Sequence, residues 1–381
     1  MWHKLLMSLS RQYLRQRVRR RPPLALDTLD PRKIKRVLLI SATALGDTLF
    51  STPAIRALNE RYPDWGLEVL AHQRFSALLA HNPHIDRVWA YPGRNRRLLT
   101  LARNLRRRRF DLAVILHGND PEATLLAQAT GSPYILGSAR SPLALAYTAA
   151  VGDPEPFEHA IERRLAYVRL LGADTPDRRM DLVLPREEVK RAETILVQHF
   201  GTPPPLIFAL HPTGSDPYKW WPAASFVALG DFLFQTYQAS LLIISGSHDR
   251  KEAAAIAAQL PGPSLVTGGR FTLLTTAALL SKCRLLVAND SGPLHMGLAL
   301  GVPSIALLGA DHPRRVGPYQ VPWGAFLHKR EAVCLRAPCL LRKCPENLCL
   351  QAIAVSEVTA LIETWWEPQF AAPPANTALP R

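Results

Sequence analysis

Residues 286–309 read LVANDSGPLHMGLALGVPSIALLG, and their pattern is the strongest indication of the fold. An apolar run ends at Asn289 and Asp290, a Ser-Gly-Pro corner and His295 follow, and a second apolar run begins at Ser304. Short apolar runs separated by a helical segment are typical of parallel strands that are buried on both faces. Polar residues directly after such a strand lie where open parallel sheets bind ligands. The stretch therefore predicts a parallel sheet with a ligand site at its edge.

The same alternation of apolar runs and helical segments occurs twice along the chain. The first series has apolar runs at 36–40, 66–71, 87–92, 110–118 and 134–137. The second series has them at 206–212, 240–246, 264–269, 285–290 and 304–309. We therefore predict an α/β fold of two Rossmann-like, doubly wound domains that face each other across a cleft.

Changes in composition predict the domain boundaries. A basic amphipathic extension covers residues 1–31, and the two Rossmann-like domains cover 32–203 and 204–350, with a Pro-rich hinge between them. The last part, 351–381, is predicted to be a helix that crosses back to the first domain, followed by a tail.

The composition is that of a globular protein. Of the 381 residues, 48% are hydrophobic and 20% are charged, which excludes a disordered chain. No apolar run reaches the roughly 20 residues of a membrane span, and no signal peptide is evident at the N-terminus. We therefore expect a cytoplasmic protein.

The net charge of +15 is concentrated in two segments. Residues 1–36 contain eleven Lys and Arg, and residues 94–109 contain eight Arg and no acid. Such patches require an anionic partner. Because no nucleic-acid-binding signature accompanies them, we predict no nucleic acid but an anionic membrane surface, on which the amphipathic residues 1–21 would lie. The alternatives are an N-terminal helix that packs on the body, or is disordered, and an Arg-rich helix face that is simply solvated.

The loop after the first strand carries a carboxylate. In SATALGDTLFSTPAIRAL (41–58), Gly46 permits close approach of the backbone and Asp47 stands near the start of a helix. An Asp at this position acts either as a helix N-cap or as a general base on an acceptor hydroxyl.

The loop at the start of the second domain suits a diphosphate. In HPTGSDPYKWWP (211–222), Thr213, Gly214 and Ser215 offer hydroxyls and accessible backbone, and Lys219 adds a positive charge. The segment is not a Walker A loop, because the Gly-Lys-Ser/Thr order is absent. A solvated turn anchored by its two tryptophans is the alternative.

Two further loops follow strands of the second domain. After the strand that ends near Asp290, the N–H groups of 291–292 begin a helix whose positive end favours phosphate, and His295 lies one turn further on. The alternative makes Asp290 a helix cap and His295 a buried structural group. In SGSHDRKE (245–252), His248 or Asp249 is placed to contact a ribose or a base.

Together these motifs resemble those of glycosyltransferase family 9, the ADP-heptose:lipopolysaccharide heptosyltransferases. The likeness spans roughly residues 34–362. SATALGDTLFSTPAIRAL resembles the opening loop of that family, and NDSGPLHMGLALGVPSIALLGADHPRRVGPY (289–319) resembles its donor-site block. The resemblance implies a GT-B fold and inverting transfer of a heptose-like sugar from a nucleotide diphosphate, with no cofactor. The chain has no Asp-x-Asp motif, so we expect no requirement for a divalent metal.

The resemblance also implies roles for individual residues. Asp47 would be the catalytic base, and Lys219 would stabilise the leaving diphosphate. The residues assigned to donor binding are Thr213, Gly214, Ser215, Lys219, His248, Asp290, Ser291, Gly292 and His295. Separately from the resemblance, we assign Gly46, Thr48, Arg106, Arg107 and His117 to acceptor binding, the two arginines because they belong to the Arg-rich segment. The acceptor would be a phosphorylated, lipid-anchored glycan at the cytoplasmic face of the inner membrane. His248 stands where the family carries an acidic ribose contact.

The same motifs leave other functions open. The alternative functions are a nucleotide-sugar 2-epimerase and a non-catalytic glycolipid-binding protein of the same fold. The absence of G-x-G-x-x-G disfavours a dehydrogenase.

Cys283 lies in an apolar helical pattern, which predicts a buried thiol. The other four cysteines recur every five residues, at Cys334, Cys339, Cys344 and Cys349. This spacing lacks C-x2-C pairs, so it favours reduced thiols in a C-terminal loop over a zinc or iron–sulfur site.

Overall fold

The computed structural model describes residues 11–12, 14–20, 22–93, 98–117, 121–202, 206–334, 344 and 346–370. These residues form two compact units that divide between Val183 and Leu184. Within the described ranges, no helix is both long and apolar enough to cross a membrane.

The first unit is built on a six-stranded parallel sheet with the order β3-β2-β1-β4-β5-β6. Its strands are β1 Arg36–Ser41, β2 Gly66–His72, β3 Arg87–Tyr91, β4 Leu112–Ile115, β5 Tyr134–Ser138 and β6 Ala149–Val151. Its helices are α1 (residues 14–20), α2 Leu45–Phe50, α3 Thr52–Arg61, α4 Leu98–Arg108, α5 Pro121–Thr130 and α6 Ala160–Arg169. The central strands are almost wholly buried because helices cover both faces of the sheet.

The second unit repeats this plan with the strand order β12-β11-β10-β7-β8-β9, all parallel. Its strands are β7 Ile207–His211, β8 Ser240–Ile243, β9 Ser264–Val266, β10 Leu285–Asn289, β11 Ser304–Leu308 and β12 Gly324–His328. Its helices are α7 Arg186–Phe200, α8 Ala223–Tyr237, α9 Arg250–Ala257, α10 Leu273–Leu280, α11 Gly292–Ala299, α12 Pro313–Val316, α13 Arg330–Val333, α14 Leu348–Gln351, α15 Val355–Leu361 and α16 Glu367–Phe370. The predicted α/β fold with two Rossmann-like units is confirmed.

The structure adds one strand to each sheet that the sequence did not indicate. These strands, β6 and β12, both lie at a sheet edge, and their residues are at most half-buried. An edge strand packs against only one neighbour, so it needs no continuous apolar run. Between β2 and β3 the chain forms the 3-10 turn Ser76–Leu79.

Two segments pack against the body of the second unit. Helix α7 was assigned to the first domain, but it belongs to the second unit, where Thr275 Oγ1 donates to Glu188 Oε2 (2.6 Å). The C-terminal segment also packs apolar side chains into the core of the second unit, and its predicted return to the first domain stays a prediction. Trp366 is 1% exposed and donates to the carbonyl of Arg284 at 2.8 Å.

Each sheet has one point where the chain reverses its direction of winding. In the first unit this point lies between β1 and β4, and in the second between β7 and β10. Loops that follow the strands at such a point diverge and leave a crevice, which is where doubly wound sheets bind ligands. The loops that carry Asp47 and Lys219 begin at these two points.

Candidate active site

In the second unit, the loops after β7 and β10 are joined by hydrogen bonds across the switch point. Asn289, which is fully buried, accepts the backbone N–H of Trp221 (3.0 Å), and its amide donates to the carbonyl of Thr213 (3.4 Å). Trp221 is itself fixed by a bond from its indole N–H to the carbonyl of Ile353 (2.9 Å). These bonds hold residues 211–222 against residues 289–292, so the two predicted donor-binding loops form one site.

Lys219 lies between two carboxylates at this site. Its ammonium donates to Asp311 Oδ2 at 2.7 Å and to Asp290 Oδ2 at 3.4 Å. The side chains of Lys219 and Asp290 are 19% and 9% exposed, so the ion pairs are largely shielded from water. Asp290 therefore pairs with Lys219 and does not cap helix α11, whose N-cap is Ser291.

The three charges shift one another's pKa values. Burial alone would lower the pKa of Lys219, but the charges of Asp290 and Asp311 outweigh it and raise that pKa, so the ammonium stays protonated. Burial raises the pKa of Asp290 to about 6; the charge of Lys219 opposes this shift and that of Asp311 adds to it. For Asp311, burial is outweighed by Lys219, and its pKa is lowered.

The raised pKa of Asp290 predicts that the Asp290→Asn variant is more stable than the wild-type chain. Above about pH 6 the buried carboxylate is ionised at a cost that a neutral amide avoids, so we expect a gain of about 3 kcal/mol in the free energy of unfolding. The gain shrinks as the pH falls from about 6 and disappears below the ordinary value of 3.8, where both states are protonated. Denaturant melts between about pH 8 and about pH 4 measure it, and a gain independent of pH would contradict this explanation.

His211 fixes the orientation of Ser291. Its Nδ1 is 2.8 Å from the carbonyl of Ile244, which only accepts, so Nδ1 carries the proton. Complete burial lowers the pKa of His211 and keeps the ring neutral. Nε2 then accepts the hydroxyl proton of Ser291 at 2.6 Å. The lone pairs of Ser291 and the backbone N–H of Gly292 remain at the start of α11, whereas Pro293 has no N–H to offer.

The other predicted donor residues lie around this centre with different exposures. Thr213 is buried and its hydroxyl donates to Asp249 Oδ2, whose other oxygen accepts the N–H of Gly246 at 2.8 Å. Ser215 is exposed and donates to Asp216 at 2.9 Å. His295 is buried, with Nε2 3.9 Å from Asp290 Oδ1. Gly214 lies beside Trp220 and Ser291, and His248 is exposed in the loop after β8.

In the first unit, Asp47 is the third residue of α2 and not its N-cap, which is Ala44. Its Oδ1 accepts from Arg164 Nη2 at 2.5 Å, and the carboxylate is 37% exposed. Arg164 is buried on α6, where Nη1 donates to the carbonyl of Ala160 (2.9 Å) and the guanidinium lies 5.8 Å from the centre of the Phe50 ring. One oxygen of Asp47 is thus held by a buried cation.

The predicted acceptor residues do not all share this site. Gly46 precedes Asp47 and is buried, and buried His117 follows the carboxyl end of β4, on the Asp47 side of the sheet. Thr48 is 0% exposed and its hydroxyl donates to the carbonyl of Ala44 at 3.0 Å. Thr48 therefore stabilises the first turn of α2 and cannot reach an acceptor from that position.

Arg106 and Arg107 lie at the opposite edge of the sheet. They end helix α4, which returns from β3 to the amino end of β4. There the carbonyl of Arg108 accepts from the guanidinium of Arg36, the first residue of β1, at 3.0 Å. Asp47 follows the carboxyl end of β1, roughly 17 Å away along a six-residue strand. The structure therefore separates these arginines from the candidate acceptor site.

Several predictions fall partly or wholly outside the described residues. They include residues 1–10 of the amphipathic extension, residues 94–97 of the Arg-rich segment, the hinge residues 203–205, and Cys339. In α1, Leu14 is buried against Leu143 and Ala146, so this part of the extension packs on the first unit. Binding of residues 1–21 to a membrane stays a prediction.

Cys283 is buried as predicted, and burial raises the pKa of its thiol. Cys334, Cys344 and Cys349 are half-buried, and none of them forms a disulfide with another described residue. Among the residues with described positions, no group of three or more His, Cys, Asp or Glu is arranged to hold a metal ion.

Sequence reasoning did not assign His211, Asn289, Asp311 or Arg164 to the site. The first three had a local signal, because each ends a strand or follows one within three residues, and the ends of these strands lie at or beside the switch point. Asp311 comes three residues after β11, within the segment that carried the family resemblance. Arg164 had no such signal, since it lies inside a helix 117 residues from Asp47.

Comparison with known proteins identifies the same family that the sequence motifs resemble. The family model for glycosyltransferase family 9 (heptosyltransferase) matches residues 98–345. Lipopolysaccharide heptosyltransferase 1 of Pseudomonas aeruginosa is 29% identical over 328 residues, which cover 81% of this chain and 87% of that protein.

Two solved structures have the same fold. The glycosyl transferase family 9 protein of Veillonella parvula superimposes with a TM-score of 0.77 at 22% identity, over 88% of this chain and 98% of that one. The E. coli ADP-heptose lps heptosyltransferase II does so with a TM-score of 0.71 at 21% identity, over 88% and 99%. The predicted GT-B fold class is confirmed. The chain is a glycosyltransferase and belongs to glycosyltransferase family 9.

Proposed function

We propose that this enzyme transfers a heptose from ADP-heptose to the core of a lipopolysaccharide, with inversion at the anomeric carbon. The observation that carries the proposal is the Lys219 ammonium between Asp290 and Asp311, beside the start of α11. A cation next to a helix N-terminus suits a diphosphate, and neighbouring carboxylates suit sugar hydroxyls. The names of the similar proteins supply the sugar, the nucleotide and the acceptor.

The donor diphosphate would lie against Lys219 and the first turn of α11. The ammonium has three N–H donors, and two of them are directed at carboxylates, so the third is free for a phosphate oxygen. The N–H of Gly292 and the positive end of the helix dipole would add to this stabilisation. As the sugar–phosphate bond breaks, negative charge grows on the diphosphate, and these groups stabilise it where it develops.

The ribose would meet Asp249 in preference to His248. The Asp249 carboxylate is held against Thr213 and Gly246 at the end of β8, next to the diphosphate loop, whereas His248 is exposed. A carboxylate fixed by two donors accepts hydroxyl protons in a defined direction.

Asp47 would act as the general base. Arg164 binds its Oδ1, which leaves Oδ2 to take the proton from the attacking hydroxyl of the acceptor. The exposed fraction of Asp47 gives a substrate access to this oxygen. The cleft in which donor and acceptor would meet stays a prediction.

The position of Lys219 also supports a reaction that needs no divalent metal. An ammonium between two carboxylates occupies the kind of place that a Mg²⁺ ion takes between acidic side chains. The positive charge that a metal would bring to the diphosphate is thus supplied by the chain itself.

The proposal is tested by incubating the purified chain with ADP-heptose and heptose-free lipopolysaccharide. We expect incorporation of heptose and release of ADP, with EDTA leaving the rate unchanged. A thermal-shift series with ADP, UDP, GDP, CMP and NAD should show the largest stabilisation with ADP. Stabilisation by ADP without any transfer would favour a non-catalytic binding protein, and stabilisation by UDP alone would refute the assigned donor.

A further inference from the structure

Asp311 makes the shorter of the two contacts to Lys219. The Asp311 oxygen is 2.7 Å from Nζ, whereas the Asp290 oxygen is 3.4 Å away, at the long limit of a hydrogen bond. The ammonium is therefore held mainly by Asp311, and Asp290 keeps accepting capacity for another partner. His295, on α11, lies close to Asp290. The positive charge of Arg315, on α12, attracts the carboxylate of Asp311.

The loop that carries Asp311 is fixed by the body of the second unit. The guanidinium of Arg330, which is 3% exposed, donates to the carbonyl of Ala310 at 2.8 Å. On the other side, Gly309 is packed so tightly that an added Cβ would come within 2.8 Å of Leu350. Asp311 therefore presents a fixed negative charge, and a substitution of this half-buried side chain need not move the loop.

This charge acts differently on the two nucleotides that meet the site. A sugar nucleotide has no terminal phosphate, whereas the free nucleoside diphosphate ends in a phosphate whose second pKa is about 6 and which is a dianion at neutral pH. A fixed carboxylate beside the phosphate-binding ammonium repels the additional charge. A sugar, in contrast, offers hydroxyls that donate to Asp290 and Asp311.

We infer that Asp311 is a specificity-determining residue, which makes the donor site favour a sugar-bearing nucleotide diphosphate over the nucleoside diphosphate left after transfer. The inference rests on the proposed function, because it takes Lys219 as the phosphate contact. Its consequence is faster release of the product and weaker inhibition by it.

The test measures the dissociation constants of ADP and of ADP-heptose by calorimetry in the absence of acceptor. For Asp311→Asn we expect the preference for ADP-heptose over ADP to fall by about tenfold, because ADP binds more tightly while the sugar loses an acceptor. Asp311→Glu keeps the charge and should retain the preference within about threefold. Asp231→Asn, which removes an exposed carboxylate from α8 of the same unit, is the matched control and should change neither constant.

The possible results distinguish the role of Asp311 from the proposed function of the whole site. An unchanged preference in Asp311→Asn, or equal weakening of both nucleotides, would overturn the role of Asp311. If Asp311→Asn does not fold, Asp311→Ser removes the same charge and decides the question in the same way. Failure of the wild-type chain to bind either nucleotide would instead refute the proposed function.

Discussion

We expect Asp47→Asn to lower kcat for heptose transfer by about a thousandfold while the dissociation constant for ADP-heptose stays within about twofold. The amide oxygen still accepts from Arg164, so the packing around α2 and α6 is kept, but the amide cannot take a proton. Asp47 lies in the first unit, and the groups that we propose to bind the diphosphate lie in the second, so donor affinity should not change.

Pre-steady-state transfer and calorimetry measure these two quantities separately. Asp64→Asn is the control, because Asp64 is an exposed carboxylate that precedes β2 at the opposite edge of the same sheet. A variant at Asp47 that turns over at the wild-type rate would exclude it as the base. A variant that loses donor binding as well would place Asp47 in the donor site.

The second large effect is expected for Lys219→Ala. Without the ammonium, Asp290 and Asp311 lose their shared counter-charge in a largely buried site, at a cost of about 3 kcal/mol in stability. For a unit of this size, such a loss lowers Tm by roughly 10 °C. The affinity for ADP should fall by about a hundredfold, because the phosphate loses its cation and meets two carboxylates.

A double variant separates the structural effect from the binding effect. Lys219→Ala with Asp311→Asn removes most of the repulsion, so it should recover stability but not ADP binding. Lys282→Ala serves as the control, since its exposed pair with Glu193 contributes no more than about 1 kcal/mol. Wild-type affinity for ADP in the single variant would show that Lys219 does not contact the diphosphate.

The buried strands and the two loops that begin at the switch points could be predicted from the sequence. A strand that is covered on both faces must be apolar along its whole length, so β1, β4, β7 and β10 stand out as apolar runs. The edge strands β6 and β12 carry no such constraint and were missed. Residues 186–200, which form α7, were placed in the first domain, because the sequence shows the apolar face of a helix but not the partner against which that face packs.

The candidate site was predicted in part for a related reason. Residues directly after a strand lie at the ligand-binding edge whatever the tertiary details, which located Asp47, the Lys219 loop and Asp290. Arg106 and Arg107 were assigned by charge alone, although a helix that leads to the next parallel strand must end at the opposite edge. Thr48 was assigned to the acceptor site because it follows Asp47 in the sequence. Successive side chains of a helix point about 100° apart, so Thr48 points away from Asp47 and is buried.

The sequence by itself determined the fold class, the family and the edge of each sheet at which the chemistry-bearing residues stand. These properties depend on hydrophobic periodicity and on residue order, which are local along the chain. The contact of Arg164 with Asp47, and the sharing of Lys219 between Asp311 and Asp290, became evident only from the three-dimensional packing. Such pairs join residues that are 71 to 117 positions apart, and only the packing of helices and the order of strands brings them within hydrogen-bond distance.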